Sequence, residues 1–307
     1  MIKHSINNVL THIKFIVVGH IFNPLWHDRR KRRRKRERLT LEMREKYLSK
    51  YVPFIRSLKP DEPAEVPKQT NEKQFSIWFQ GEKNAPKIVK ICFESQRRFS
   101  PLEVVVLDET TLFEWITLPD YIMEKWRKGK IIPAHFADIC RVELLYRYGG
   151  IWMDATDLMV SPMPDWIMES DFFIYLAGEN VNWSYSFVQN CFFRSKKGNP
   201  LIKMWRDAIL EYWRNERCAV DYFFHQILFK VVVDNNPIAR KYFEEMPKVV
   251  QDPTHTMWFR MKNLPFDRKE FENLSKEAPF QKTEYRTFAK KEPIQGSYAD
   301  YILNEKL

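Results

Sequence analysis

The sequence predicts an α/β protein with a mostly parallel central sheet, preceded by a helical, basic N-terminal arm. Three observations predict it. Strand-length and helix-length segments alternate from residue 75 onward, the succession that folds into β-α-β crossovers and therefore into parallel strands. A helix-length segment beginning at His135 closes at the pair Gly149 and Gly150 and leads into the short apolar run Ile151, Trp152, Met153. The acidic residues Asp154 and Asp157 follow that run directly, at the carboxyl end of the expected strand, where open α/β sheets collect their ligands.

The arm comes first in the chain. Apolar residues at Ile13, Phe15 to Val18, Ile21, Phe22, Leu25 and Trp26 precede a run, Arg29 to Arg38, that holds nine Lys or Arg and one Glu. With Asp28, that run accounts for +7 of the net charge of +10, so the basic character belongs to the arm and not to the body. Apolar residues beside a polybasic run suit a peripheral anchor on an anionic membrane surface. The alternative is a helical arm that packs on the body or on a second copy, giving an oligomer. Nucleic acid is not expected as a partner, because no base-stacking or groove-reading motif accompanies the charge. No stretch of about 20 apolar residues is present for a spanning helix, and no secretory signal is visible. A cytoplasmic protein, peripheral at the inner face of the membrane, is the expectation.

The helical pattern continues from Arg38 to Tyr51, and prolines at 53, 60, 63 and 67 are expected to stop it. We therefore expect an arm over 1–52, a proline-rich linker over 53–73 and one domain over 74–307. The hydrophobic content of 44%, with 15% aromatic residues, is ample for a packed core and excludes a disordered chain. Four widely separated cysteines without a C-x-x-C pair argue against a zinc site or a disulfide framework.

In the body, Phe75 to Phe79 reads as a strand turning at Gln80 and Gly81, Ala85 to Arg98 as a helix, and Leu102 to Leu107 as a second buried strand. Further strands are expected at Phe172 to Ala177 and Phe187 to Arg194. Helices follow at Pro200 to Arg214, Val220 to Val233 and Ile238 to Glu245. In the middle one, Asp221 and His225 are four apart and share a face. In the central helix, Asp138 and Arg141 are three apart on neighbouring parts of one face, which by itself is an ordinary ion pair worth about 0.2 to 0.5 kcal/mol.

The string from Asp138 and Arg141 through Gly149 and Gly150 to Asp154, Ala155 and Thr156 resembles the core of the capsular polysaccharide synthesis glycosyltransferases, relatives of the sugar transferases that carry a D-x-D motif. The resemblance extends to Trp78, Gln80 and Gly81 upstream and to Asp221 and His225 downstream, and covers roughly residues 75 to 285. It implies a GT-A-like nucleotide-sugar-binding fold. It also implies transfer of a sugar, with retention of configuration, from a donor such as a UDP-sugar to a glycan or lipid-linked acceptor. One departure stands out. Thr156 occupies the second acidic position of a strict D-x-D, and the extra carboxylate comes one residue later at Asp157.

Within that resemblance, Asp154 is the expected ligand of Mn²⁺ or Mg²⁺, with Thr156 and Asp157 as further metal-side candidates. Gln80, Gly81, Asp138, Arg141, Gly149 and Gly150 are expected to bind the donor. Lys282 and Tyr285, in the segment QKTEYR, would bring a cation to the diphosphate. Asp221 and His225 are candidates for the acceptor side. Two readings of other classes compete: a binding module that keeps the fold without catalysis, and a scaffold that works through its basic run.

Overall fold

The computed structural model describes residues 41–60, 71–178, 187–288 and 291–304. The apolar and basic stretches expected to form the anchor, and the linker residues 61–70, lie outside the described residues.

The central sheet has five strands: β1 (Lys73–Ile77), β2 (Val104–Leu107), β3 (Gly150–Met153), β5 (Phe172–Leu176) and β6 (Val188–Ser195). Their order is β2-β1-β3-β6-β5. The β1–β2 and β1–β3 pairs are parallel, while β6 is antiparallel to both β3 and β5. Four strands therefore share one direction and β6 alone opposes them, which is the mostly parallel sheet the alternating pattern predicts. A separate two-stranded ribbon pairs β4 (Asp157–Met159) with β7 (Phe280–Lys282), antiparallel.

The labelled helices are α1 (Val52–Ser57), α2 (Lys87–Phe99), α3 (Pro133–Tyr148), α4 (Pro200–Asn215), α5 (Phe224–Asn235), α6 (Pro237–Glu245), α7 (Arg268–Glu277) and α8 (Tyr298–Asn304). Short helices at Leu112–Trp115, Asp120–Arg127 and Asp165–Glu169 fill the connections. The starts of α4 and α6 are written in the sequence as Asn-Pro. Asn199 accepts from Leu201 N and Ile202 N, and Asn236 from Ile238 N and Ala239 N. Each cap is worth about 1 kcal/mol, and the proline gives up an amide that has no helical partner there.

Strand side chains alternate between two cores, as a sheet covered on both faces requires. Trp152, Phe172 and Ile174 face the large core built with α3, α4 and α5. Ile151, Met153, Phe173 and Tyr175 face a second core with Met159 and Phe280 of the ribbon. A third core joins α2 to the C-terminal segment through Val89, Phe93, Trp258 and Ile302. In α3, eleven residues around the whole circumference are buried, so this is a core helix and not an amphipathic surface one.

Several boundaries differ from expectation, three of them with a consequence for the site or the arm. Strand β1 begins two residues early, at Lys73, and Trp78 and Phe79 fall in the following loop. Helix α5 begins at Phe224 and not at Val220, because the Asp221 side chain accepts from Phe223 N at 2.8 Å and holds 221–223 in a turn. Pro53 does not stop the preceding helical segment: it lies in the first turn of α1, where proline is tolerated.

Residues 41–58 accordingly pack on the body. Leu48, Tyr51 and Ile55 enter the large core. Asn236 Nδ2 donates to Ile55 O at 2.9 Å and to Leu58 O at 3.2 Å. The buried Glu216 carboxylate accepts from Tyr47 and Tyr51 hydroxyls at 2.9 Å each and from Lys50.

Candidate active site

The peptide leaves β3 at Met153 and turns at once, with Asp157 N donating to Asp154 O at 2.9 Å before β4 begins. The buried Gln96 of α2 clamps this turn, its Nε2 donating to Asp154 O at 3.1 Å and Asp157 O at 2.9 Å. Both acidic side chains are thus fixed beyond the carboxyl end of the central strand, where the sequence pattern puts them.

Each oxygen of Asp154 is engaged. Trp152 Nε1 donates to Oδ1 at 2.9 Å, and the Arg141 guanidinium stands 3.4 Å from the same oxygen. Lys282 Nζ donates to Oδ2 at 2.7 Å. The same ammonium lies 3.1 Å from Asp157 Oδ1. That contact is built into the ribbon, because Asp157 and Lys282 are directly opposed in the β4–β7 register. Asp157 is wholly buried, and its Oδ2 has no hydrogen-bond partner among the described residues.

Arg141 belongs to a second layer of contacts. Its guanidinium lies 3.3 Å from Asp138 Oδ1, stacks 4.7 Å from the Trp152 ring centroid, and donates to Asn190 O. Asn190 Nδ2 donates to Asp138 Oδ1 at 2.8 Å and to His225 Nδ1 at 3.1 Å, and its Oδ1 accepts from Gln226 at 3.0 Å. His225 is therefore joined to the site through Asn190. Its pKa is driven far down by burial, then by Arg141 and His135, so it is a neutral imidazole and its 3.8 Å approach to Asp138 is not an ion pair.

The charges balance by environment. Burial pushes the Asp154 carboxyl up, but Lys282 and Arg141 outweigh it and leave it below the ordinary carboxylate range. For Asp157 burial dominates, with Asp154 adding to it against Lys282, and the carboxyl is raised to about 7. Asp138 is likewise raised to about 7, chiefly by burial. Burial lowers Lys282, but the two carboxylates more than reverse that and keep it charged. The arrangement can hold negative charge between two fixed cations beside one partly open carboxylate.

The other sequence candidates are placed as follows. Tyr285 meets Trp78 edge to face at 5.3 Å, which brings the loop after β1 to the segment after β7. Gln80 and Gly81 form the turn after β1, with Gly81 at φ +79° and Gln80 O accepting from Asn84. Thr156 takes part through its main-chain oxygen, which accepts from Thr283 N and Oγ1 at 2.8 Å each. Asp221 does not share a helix face with His225: it precedes α5 and pairs with Arg44 at 2.8 Å.

Gly149 and Gly150 stand at the amino end of β3, opposite the end that carries Asp154. A Cβ on Gly150 would lie 1.9 Å from Lys73 O, and one on Gly149 2.6 Å from Lys197 N. Neighbouring backbone leaves no room for a Cβ at either position.

Sequence reasoning missed Trp152, Gln96 and Asn190. The signal for Asn190 was present, since Gln189 and Asn190 stand between apolar Val188 and Cys191 in a buried strand, and a polar side chain there needs a buried partner.

The site and the fold can be set beside known proteins. The O-glycosyltransferase braB of Annulohypoxylon truncatum is 24% identical over 178 residues, 53% of this chain and 42% of that protein. The O-glycosyltransferase PaGT of Phomopsis amygdali is 25% identical over 179 residues, 53% of this chain and 44% of that protein. The matched stretch is thus less than half the length of either fungal relative. Among solved structures, the PaToxG Glycosyltransferase aligns over 69% of this chain and 85% of that chain, with a TM-score of 0.37 and 16% identity. The sequence pattern of one family runs from residue 24 to residue 302, through the site and every strand around it, and the chain belongs to that family, the capsular polysaccharide synthesis proteins.

Proposed function

We propose that this protein is a glycosyltransferase that moves a sugar from a nucleotide-sugar donor, a UDP-sugar, to a hydroxyl of a glycan or lipid-linked acceptor. One observation carries the reading: Asp154, with 26% of its side chain open, stands at the carboxyl end of the central strand between the cations Arg141 and Lys282. Membership in the family and the glycosyltransferase relatives support it.

Glycosyl transfer leaves a diphosphate whose growing negative charge must be neutralised. Arg141 is suited to this because it is already desolvated, and its stacking on Trp152 and bond to Asn190 O fix its plane. Lys282 offers a second cation from the opposite side. Asp138, held by Asn190 and Arg141, is placed to accept a hydroxyl of the donor sugar or ribose.

A divalent cation is the further component the resemblance implies, although no group of three or more His, Cys, Asp or Glu that could hold an ion stands among the described residues. Mn²⁺ and Mg²⁺ take oxygen ligands and are commonly held by one or two carboxylates together with substrate phosphates. Asp154 is the partly exposed carboxylate that would take part, exchanging its bonds to Trp152 and Lys282 for the ion. Asp157, buried behind Lys282, supports the turn and does not reach solvent. When bound, such an ion supplies Lewis-acid neutralisation of the departing diphosphate.

The reading is tested on Asp154→Asn, which keeps the shape of the side chain and removes its charge. Transfer from UDP-sugars should fall by at least a hundredfold, in line with the loss of a preorganised charge, while circular dichroism shows the native fold retained. Calorimetry should show donor binding losing its dependence on Mn²⁺. Undiminished transfer in this variant would overturn the assignment.

A further inference from the structure

Tyr222 is unusual among the large side chains. It is 60% exposed, more than any other exposed aromatic among the described residues, since Phe113, Trp166 and Phe259 lie at 38 to 40%. Its backbone is nevertheless held firmly. Tyr222 O is 3.1 Å from Nε2 of the buried His135, one turn before Asp138 on α3, and the two rings lie 5.8 Å apart. The residue before it, Asp221, is locked between Phe223 N on one oxygen and the Arg44 guanidinium on the other, at 2.9 and 2.8 Å. The residue after it, Phe223, packs against the large core.

The ring also senses the charged centre. Its hydroxyl titrates above the usual tyrosine range through desolvation and through the charges of Asp138 and Asp154, with Lys282 and Arg141 opposing. Arg286, raised first by its hydrogen bond to Tyr285, also feels Tyr222. The geometric tie to the charged centre is His135, which holds Tyr222 O and sits three residues before Asp138 and six before Arg141 on α3. An exposed aromatic on a rigid turn offers an apolar face and a polar edge at small entropic cost. That combination matches a pyranose ring, which has an apolar C–H face and a rim of hydroxyls.

We infer that Tyr222 is a sugar-binding platform for the acceptor, and that Arg44, from the segment 41–58, is its positioning residue through Asp221. The acceptor role rests on the transferase reading. Arg44 is remote in sequence and pairs with Asp221 beside the platform, so the N-terminal segment has a part in substrate recognition separate from any anchoring.

The test uses the full chain, UDP-sugars as donors, and methyl glycosides of common hexoses as acceptor probes. Tyr222→Ala should raise the acceptor KM about tenfold, equivalent to about 1.4 kcal/mol, with a much smaller change in kcat. Tyr222→Phe should retain most of the affinity. Arg44→Met should shift the acceptor KM in the same direction, and the exchanged pair Arg44→Asp with Asp221→Arg should recover part of it, which a general loss of folding would not do. An unchanged acceptor KM in Tyr222→Ala overturns the platform, and an unchanged KM in a folded Arg44→Met overturns the positioning role. If the native protein neither binds nor consumes any donor, the transferase reading fails instead. The platform is then judged by saturation-transfer NMR of the same glycosides, whose ring-proton signal must be lost in Tyr222→Ala.

Discussion

Lys282 carries more of this site than its position near the end of the chain suggests. Its ammonium contacts two carboxylates, and one of them, Asp157, is completely buried. A buried ion pair contributes little net stability, yet removing one partner strands the other and costs about 3 to 5 kcal/mol. Lys282→Met should therefore lower the free energy of unfolding in urea by about 3 kcal/mol or more. Adding Asp157→Asn should restore much of that loss, because the stranded charge is gone. Strictly additive losses in the double variant would show that the two residues are not coupled. Thr156→Ala, by contrast, should be mild, since the contacts at that position are made by the main chain.

The element that sets the position of Asp154 is β3, and β3 is seated by its first residue. Gly150 has φ of +99°, and a Cβ there would collide with the carbonyl of Lys73 on β1. The neighbour is backbone within a paired strand, so it cannot rotate away. Gly150→Ala should prevent the β1–β3 pairing and yield little folded protein, with a stability loss above about 4 kcal/mol, in the range reserved for severe backbone or packing faults. Circular dichroism and hydrogen exchange on β1 and β3 would check it. A folded Gly150→Ala that merely lost donor binding would return this glycine to the ligand site. At the other end of the site, Gln96 shows how α2 fixes a turn it does not belong to, by two hydrogen bonds to carbonyls of residues 58 and 61 positions later.

At the scale of the whole molecule, burial sets the response to acid. His135, His225 and His255 are buried and all are pushed below the ordinary histidine range, chiefly by burial, His255 to about 3. A depressed folded pKa means that the unfolded chain binds the extra proton, so this contribution is complete above about pH 6.5 and is lost as pH falls toward 3. Asp138 and Asp157, raised to about 7, act with the opposite sign over the same window and mute the native profile. The histidine term is therefore read as a difference. Relative to wild type, His255→Gln should gain about 1.4 kcal/mol per pH unit below 6.5, measured by urea unfolding at several pH values. A difference that does not vary with pH would mean that His255 does not titrate between the folded and unfolded states in this range.

Local rules account for what the sequence determined by itself. Alternation of strand and helix segments, the Asn-Pro helix starts and the helix end at Gly149 depend on a few neighbouring residues, and they set the mostly parallel sheet and the place of Asp154 at the end of its central strand. The family string made Asp138, Arg141 and Lys282 legible as partners of one site. Only the tertiary structure decided how they meet. The opposition of Asp157 and Lys282 depends on a ribbon closed across more than a hundred residues, and the pairing of Arg44 with Asp221 joins residues 177 apart. What crowds Gly149 and Gly150 is likewise a matter of tertiary structure. A positive φ is visible in the sequence as glycine, but what crowds the missing Cβ is another strand's backbone, and no local pattern records which strand arrives there.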